Sequence, residues 1–492
     1  MPYIDPKNQS DMRRYIPFLF TLFSLTDITA QVRPSGIFGD HMVLQRNKPI
    51  RVWGTASPGE KVTVQFNSKA LKVKASSSGD WQVTLPAMTH GGPYTMTITG
   101  KDTVKFSDIL VGEVWICSGQ SNMEWNVNSS DSAKKEIANA KYPQIRQVKI
   151  SKDASVLPRK DISKPAPWVI CSPETVANFT AAGYFFAREL QEKLGVPVGL
   201  INSSWGGTHV ETWTSGDALF AHPDFAGLKQ KYPTVDTVIK APNAYGSLLY
   251  NAMINPIVGY GVGGAIWYQG ESNASRADQY NISFPMMIKD WRSRWNDEFP
   301  FYFVQLANFQ AAFGNSQNGG SQWAELREAQ TNTLSLPNTG MAVIIDIGNS
   351  KDIHPRNKQD VGKRLALLAL GKTYKLDIPH ESPMFESMTT DRNTVTIRFK
   401  NTYGGLTVRN KYGYVNGFEV AGTDQKFHYA QARLQDGQVI VTCDKVTSPV
   451  AVRYGWADDP NDLNLYNSAS LPAAPFRTDN WDKKTKGVRF GY

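Results

Sequence analysis

At 492 residues the chain exceeds what one ordinary hydrophobic core holds, so two or three domains are expected. A composition of 41% hydrophobic and 20% charged residues excludes a disordered chain. The net charge of +9 comes from scattered basic residues with no run dense enough for nucleic acid. The three cysteines, Cys117, Cys171 and Cys443, are too few for a disulfide framework, and no Cys/His spacing suits a metal.

The first predicted element is a leader. Met12-Arg13-Arg14 precedes an apolar run from Tyr15 to Leu25, and Ala30 offers a small residue for cleavage. Residues 12–30 therefore read as a secretory signal peptide, implying a secreted or periplasmic protein. The run is too short to span a membrane, so no stable membrane insertion is expected. Residues 32–110 alternate apolar and polar positions in Ile50–Gly54, Lys61–Phe66, Trp81–Leu85 and Tyr94–Ile98, with turns at Ser57-Pro58-Gly59 and Ser78-Gly79-Asp80. That pattern predicts a small β-sandwich.

From Val111 the pattern becomes strands alternating with helices, predicting an α/β domain over 111–375 with a parallel sheet. A short buried strand, Val114 to Cys117, leads into a turn at Ser118 to Gln120. Asn178 is expected to cap a helix that runs to Leu194 and is closed by Gly195. Strands follow at Val198–Asn202, Ala265–Tyr268, Phe301–Leu306 and Met341–Ile345. Helices carry Phe284, Ile288, Trp291 and Trp295, then Trp323 to Thr333, then Val361, Leu365 and Leu368. Residues 376–480 return to β, with strands such as Thr394–Phe399 and Gln438–Thr442.

Four polar blocks fall just beyond strand ends, where open α/β sheets bind ligands. Ser121 lies in the first and can present a hydroxyl to a pocket while its N–H faces a developing oxyanion. Serine needs a base, and His354 stands far downstream, held in a turn by Pro355. Gly-Gln-Ser-Asn is also ordinary turn vocabulary, so residue types alone leave a polar turn without chemistry open.

The blocks read Gly119-Gln120-Ser121-Asn122-Met123, Trp205-Gly206-Gly207-Thr208, Trp267-Tyr268-Gln269-Gly270-Glu271-Ser272-Asn273 and Asp352-Ile353-His354-Pro355. In this order they resemble the sialate O-acetylesterase family, of bacterial type, a branch of the SGNH (GDSL-like) hydrolases. The resemblance runs from about Ile37 to Asp479-Asn480-Trp481. It implies a three-layer catalytic domain flanked by β-sandwich-like regions, and a serine esterase that needs neither metal nor cofactor. Its partner is O-acetylated sialic acid or another acetylated glycan. Ser121 is then the nucleophile and His354 the general base, with Asp352 orienting the imidazole. In the general SGNH pattern the acid stands three residues before the histidine, where this chain has Lys351. Asp346, or a backbone carbonyl in a Ser-His dyad, therefore stays open. The oxyanion donors implied are Ser121, Gly206 or Gly207, and Gln269 where related enzymes use Asn. Gln120, Glu271 and Arg327 are expected to line the site, Arg327 either pairing with Glu271 or meeting a substrate carboxylate. The alternatives are an acetylesterase for plant polysaccharides such as acetyl xylan, and a carbohydrate-binding protein without catalysis.

Overall fold

The computed structural model describes residues 31–236, 239, 241–310 and 320–491; the leader read at 12–30 lies outside them. Its centre is a mixed sheet of eleven strands. Ile145–Lys149, Val198–Ser204, Thr103–Gly119, Gly264–Tyr268, Phe301–Val304 and Thr339–Ala342 lie side by side in that order, all parallel. Trp168–Ile170 adds an antiparallel edge. The parallel α/β fold read from the sequence is the one found.

Both faces of the parallel part of the sheet are covered, which is why its strands are almost continuously buried there rather than alternating. Odd positions of the central strand meet one helical layer. Trp115 packs edge-on against Phe186, and a side chain on Gly183 would come within 3.0 Å of Cys117 Sγ. Trp267, one strand over, faces the opposite layer and packs on Phe284 and Trp291 of the helix Ala277–Trp295. Alternation along adjacent strands thus divides the helices between the two faces.

Two local expectations are corrected. The helix Ala181–Leu194 begins after Thr180, not at Asn178, because Val176–Asn178 forms a separate short 3-10 turn; Gly195 does close it, at φ 66°. The central strand is not confined to Val114–Cys117, and no turn occupies Ser118 and Gly119. It runs unbroken for 17 residues, Thr103–Gly119. Its first half pairs antiparallel with Gly91–Thr99, and its second half sits in the parallel sheet. The N-terminal β layer, completed by a three-stranded sheet of Arg33–Pro34, Ile50–Thr55 and Asp80–Leu85, is therefore joined through one strand to the parallel sheet.

The C-terminal β region has its own core, in which Val395, Ile397, Val420, Val439, Val441 and Val452 are buried between two four-stranded sheets. It is tied to the helix Gln322–Asn332 by polar groups: Arg477 pairs with Glu328, and Glu325 accepts from the backbone of Lys484 and Thr485.

Candidate active site

Three neighbouring strands end together. Ser204, Gly119 and Tyr268 stand level across the sheet, so the segments that follow them open on one spot. Gly119 is held at φ 130° directly against the next strand, where an added Cβ would lie 2.2 Å from the Tyr268 carbonyl oxygen. Only glycine fits that approach. The chain then turns through Gln120, whose N–H donates to Tyr268 O at 3.0 Å, and Ser121 opens the short helix Ser121–Glu124 with a half-buried side chain.

The His354 loop closes over this corner. Ser121 Oγ lies 2.9 Å from His354 Nε2. The imidazole stacks on Trp125 with ring centroids 5.0 Å apart and planes 17° apart. Asp352 Oδ1 accepts the His354 backbone N–H at 2.9 Å and stands 3.4 Å from His354 Nδ1. One oxygen thus serves both contacts, and the turn bends back far enough for a spacing of two. Asp346 has both oxygens on Arg364, at 2.6 and 2.9 Å, so it is committed elsewhere. Burial pulls the His354 imidazole below its ordinary value; Asp352 opposes this and Lys358 adds to it.

Several expected lining residues turn inward instead. Gln269 is fully buried, its amide donating to Thr208 O and Asn273 Oδ1 while its carbonyl accepts from Tyr280. It braces the Trp205–Thr208 loop and offers no free donor to the pocket. Gly206 N–H is given to Glu124 Oε2 at 2.9 Å. Gly207, at φ 74°, has an N–H with no acceptor among the described residues. Gln120 is buried and its Oε1 faces the N–H groups of Gly270 and Ser272, holding the Glu271 loop to the Ser121 loop.

Arg327 is the largest departure. It neither pairs with Glu271 nor reaches the pocket. Fully buried, it donates to four carbonyls, those of Leu306, Ala307, Ala457 and Asp458, between 2.6 and 2.9 Å. Its role is to fasten the C-terminal β region to the sheet. Glu271 does approach the site from below, accepting from Asn122 Nδ2 at 2.6 Å. Burial raises its carboxyl above the usual range.

The sequence reading missed four residues here. Glu124 and Trp125 directly follow the Ser121 block, and that proximity was the available signal. Lys152 pairs with Glu124 at 2.7 Å and lies over the Trp205 ring. Lys358 is buried beneath the loop. Neither lysine carries a local sequence signal for such a place. Among the described residues no group of three or more His, Cys, Asp or Glu could hold a metal ion.

Residues 111–370 match the family described as carbohydrate esterase, sialic acid-specific acetylesterase. The chain belongs to that family. It is 30% identical to the human sialate O-acetylesterase over 95% of this chain and 94% of that protein. The mouse sialate O-acetylesterase is likewise 30% identical, over 89% of this chain and 92% of its own. Among solved structures, a carbohydrate acetylesterase from Xanthomonas citri is 42% identical, with a TM-score of 0.85, and the match covers 92% of this chain and all of that one. The chain is thus a carboxylic ester hydrolase, with acetylesterase activity on carbohydrates.

Proposed function

We propose that this esterase removes acetyl groups from O-acetylated sialic acid by a serine mechanism. The observation that carries the mechanism is the 2.9 Å approach of Ser121 Oγ to His354 Nε2, with Asp352 on the far side of the ring. His354 Nε2 takes the hydroxyl proton as Oγ adds to the acetyl carbonyl. The resulting oxyanion is met by the N–H groups of Ser121 and Gly207, since that of Gly206 is occupied by Glu124. Collapse breaks the bond to the sugar oxygen, which leaves with the proton from His354. Water, deprotonated by the same imidazole, then hydrolyses the acetyl-enzyme to acetate and restores Ser121. The substrate assignment rests on the family's description and on the sialate O-acetylesterases resembling this chain. Export to the bacterial envelope belongs to the same proposal and rests on the leader pattern of residues 12–30.

A second reading, a neutral acetylated glycan such as acetyl xylan, is favoured by one feature. Arg327, the cation expected to meet a sugar carboxylate, is sealed against backbone carbonyls, and Lys152 is already paired with Glu124. Acetate release from O-acetylated sialic acid and from acetyl xylan, by the full chain and by Ser121→Ala, separates the two. Release from sialic acid alone, lost in Ser121→Ala, supports the first reading. Release from xylan alone keeps the mechanism and replaces the substrate. Activity surviving in Ser121→Ala refutes the serine mechanism.

A further inference from the structure

We infer that Lys358 is a positioning residue of this esterase, acting through the Asn122 side chain to hold the loop of His354 against the helix of Ser121. The inference rests on the proposed pairing of Ser121 with His354.

Lys358 begins the helix Lys358–Leu368, four residues after the histidine, and is fully buried. Its ammonium lies 5.7 Å from the Trp125 ring and 5.1 Å from the Tyr268 ring, and donates to Asn122 Oδ1 at 2.5 Å. Asn122, also buried, spends its amide group on Glu271 Oε1 at 2.6 Å and on the Ile353 carbonyl at 3.0 Å. Asn122 follows the nucleophile and Ile353 precedes the base. One amide therefore spans the two chain segments whose separation sets the Ser121–His354 contact.

The amide orientation is forced. Rotating it by half a turn would set NH2 against the ammonium, and a carbonyl oxygen against both the Glu271 carboxylate and the Ile353 carbonyl. Lys358 and Glu271 thus hold Asn122 from opposite ends so that its donor faces the histidine loop. A buried ammonium is expensive to keep, and an apolar residue would fill a helix start more cheaply. Such a cost tends to persist where function requires it.

The ammonium also acts through its charge. It is faced by Tyr268 and Glu271 from the strand and its following loop, by Asn122 and Trp125 from the Ser121 segment, and by Asp352 and His354 from its own loop. Burial pushes Lys358 down to about 7, and its positive form disfavours protonation of His354. Removing it raises the imidazole's proton affinity, so the acid limb of the pH profile moves to higher pH.

The test compares Lys358→Met and Lys358→Gln in the full chain, with active sites counted by titration. In Lys358→Met, kcat per site is expected to fall about 10- to 100-fold, as for a catalytic contact displaced by a fraction of an ångström, while KM stays within about twofold. The acid limb moves upward. Lys358→Gln removes the charge but keeps a donor one carbon short of the Nζ position, so it is expected to recover part of kcat while retaining the shifted limb. A folded Lys358→Met with unchanged kcat per site and unchanged limb overturns the inference. Should that variant not fold, Asn122→Ala decides: loss of kcat with the limb in place supports the bridge, and unchanged kcat refutes it. Ser121→Ala separates the two ideas. If it is inactive while Lys358→Met turns over normally, only the positioning role fails; if it remains active, the underlying pairing fails.

Discussion

Replacing Asp352 by Asn removes one charge and leaves the turn its shape. The same oxygen, Oδ1, accepts the His354 N–H and faces His354 Nδ1, so an amide carbonyl in that place preserves both contacts. What is lost is the attraction between a carboxylate and the imidazolium that forms as Ser121 attacks. At 3.4 Å that attraction is about 1 kcal/mol in a water-like medium and about 5 kcal/mol at an effective dielectric of 20. The Asp352 side chain is 39% exposed, which places it toward the lower figure. A loss of about 1 to 2 kcal/mol corresponds to a fall of about 5- to 30-fold in kcat. It also lowers the proton affinity of the imidazole, which Asp352 otherwise raises. The sign follows from the charge: the carboxylate favours the protonated ring, so its removal moves the acid limb to lower pH while the plateau drops. Aryl acetate hydrolysis followed across about four pH units, where the base passes from protonated to free, measures both effects. An unchanged plateau and limb would show that Asp352 does not face the ring in the working enzyme. A loss of about a thousandfold or more would refute the half-exposed geometry and require a tightly buried acid.

Three further outcomes are expected. In the unmodified enzyme the base must be neutral, and burial holds His354 below its ordinary 6.5; the acid limb of kcat/KM therefore has its midpoint below pH 6.5, and a midpoint above that value contradicts the site. Gly119→Ala sets a Cβ 2.2 Å from a backbone oxygen that cannot move aside, so kcat/KM should fall about 100-fold or more with the displaced serine, measured per folded molecule. Arg327→Met leaves the buried Leu306 and Ala457 carbonyls without a donor, while Ala307 O keeps Trp323 Nε1 and Asp458 O keeps the Phe309 N–H; stability should fall by at least about 2 kcal/mol, read from urea midpoints, with KM unchanged in the folded fraction. A raised KM for an acidic sugar at unchanged stability would return Arg327 to the pocket.

What was legible in the sequence was the order of elements and the location of the four blocks, because hydrophobic period and strand-end position are local properties. What stayed hidden was the direction in which polar side chains point. Gln269, Gln120 and Arg327 have the chemistry of ligand-binding groups. Their surroundings are loops and strand ends cut off from water, whose own backbone groups need partners. An amide or guanidinium can satisfy several of these at once: Gln120 Oε1 faces two N–H groups and Arg327 meets four carbonyls, while Gln269 takes one carbonyl and two neighbouring side chains. Asp352 seemed one residue out of register until the turn showed one oxygen serving an amide and a ring. Lys358 gave no sign, since a lysine in a first helical turn is ordinarily solvated. The strand Thr103–Gly119 was read short because its first six residues alternate like a surface strand and the rest are buried throughout.

That strand has a mechanical consequence. At about 3.3 Å per residue it extends for at most about 55 Å, with a left-handed residue at Asp108 (φ 53°), and it ends two residues before the nucleophile. Its front half is gripped by the N-terminal layer and its rear half by the catalytic sheet, leaving no linker where the two could rock or be cut apart. Deleting residues 32–110 would therefore not yield a trimmed enzyme; it would remove the front half of the strand that aims Ser121 together with its antiparallel partner. The two layers are expected to melt together. A slip of one residue in the front pairing would turn the side chains of that half of the strand to the wrong face.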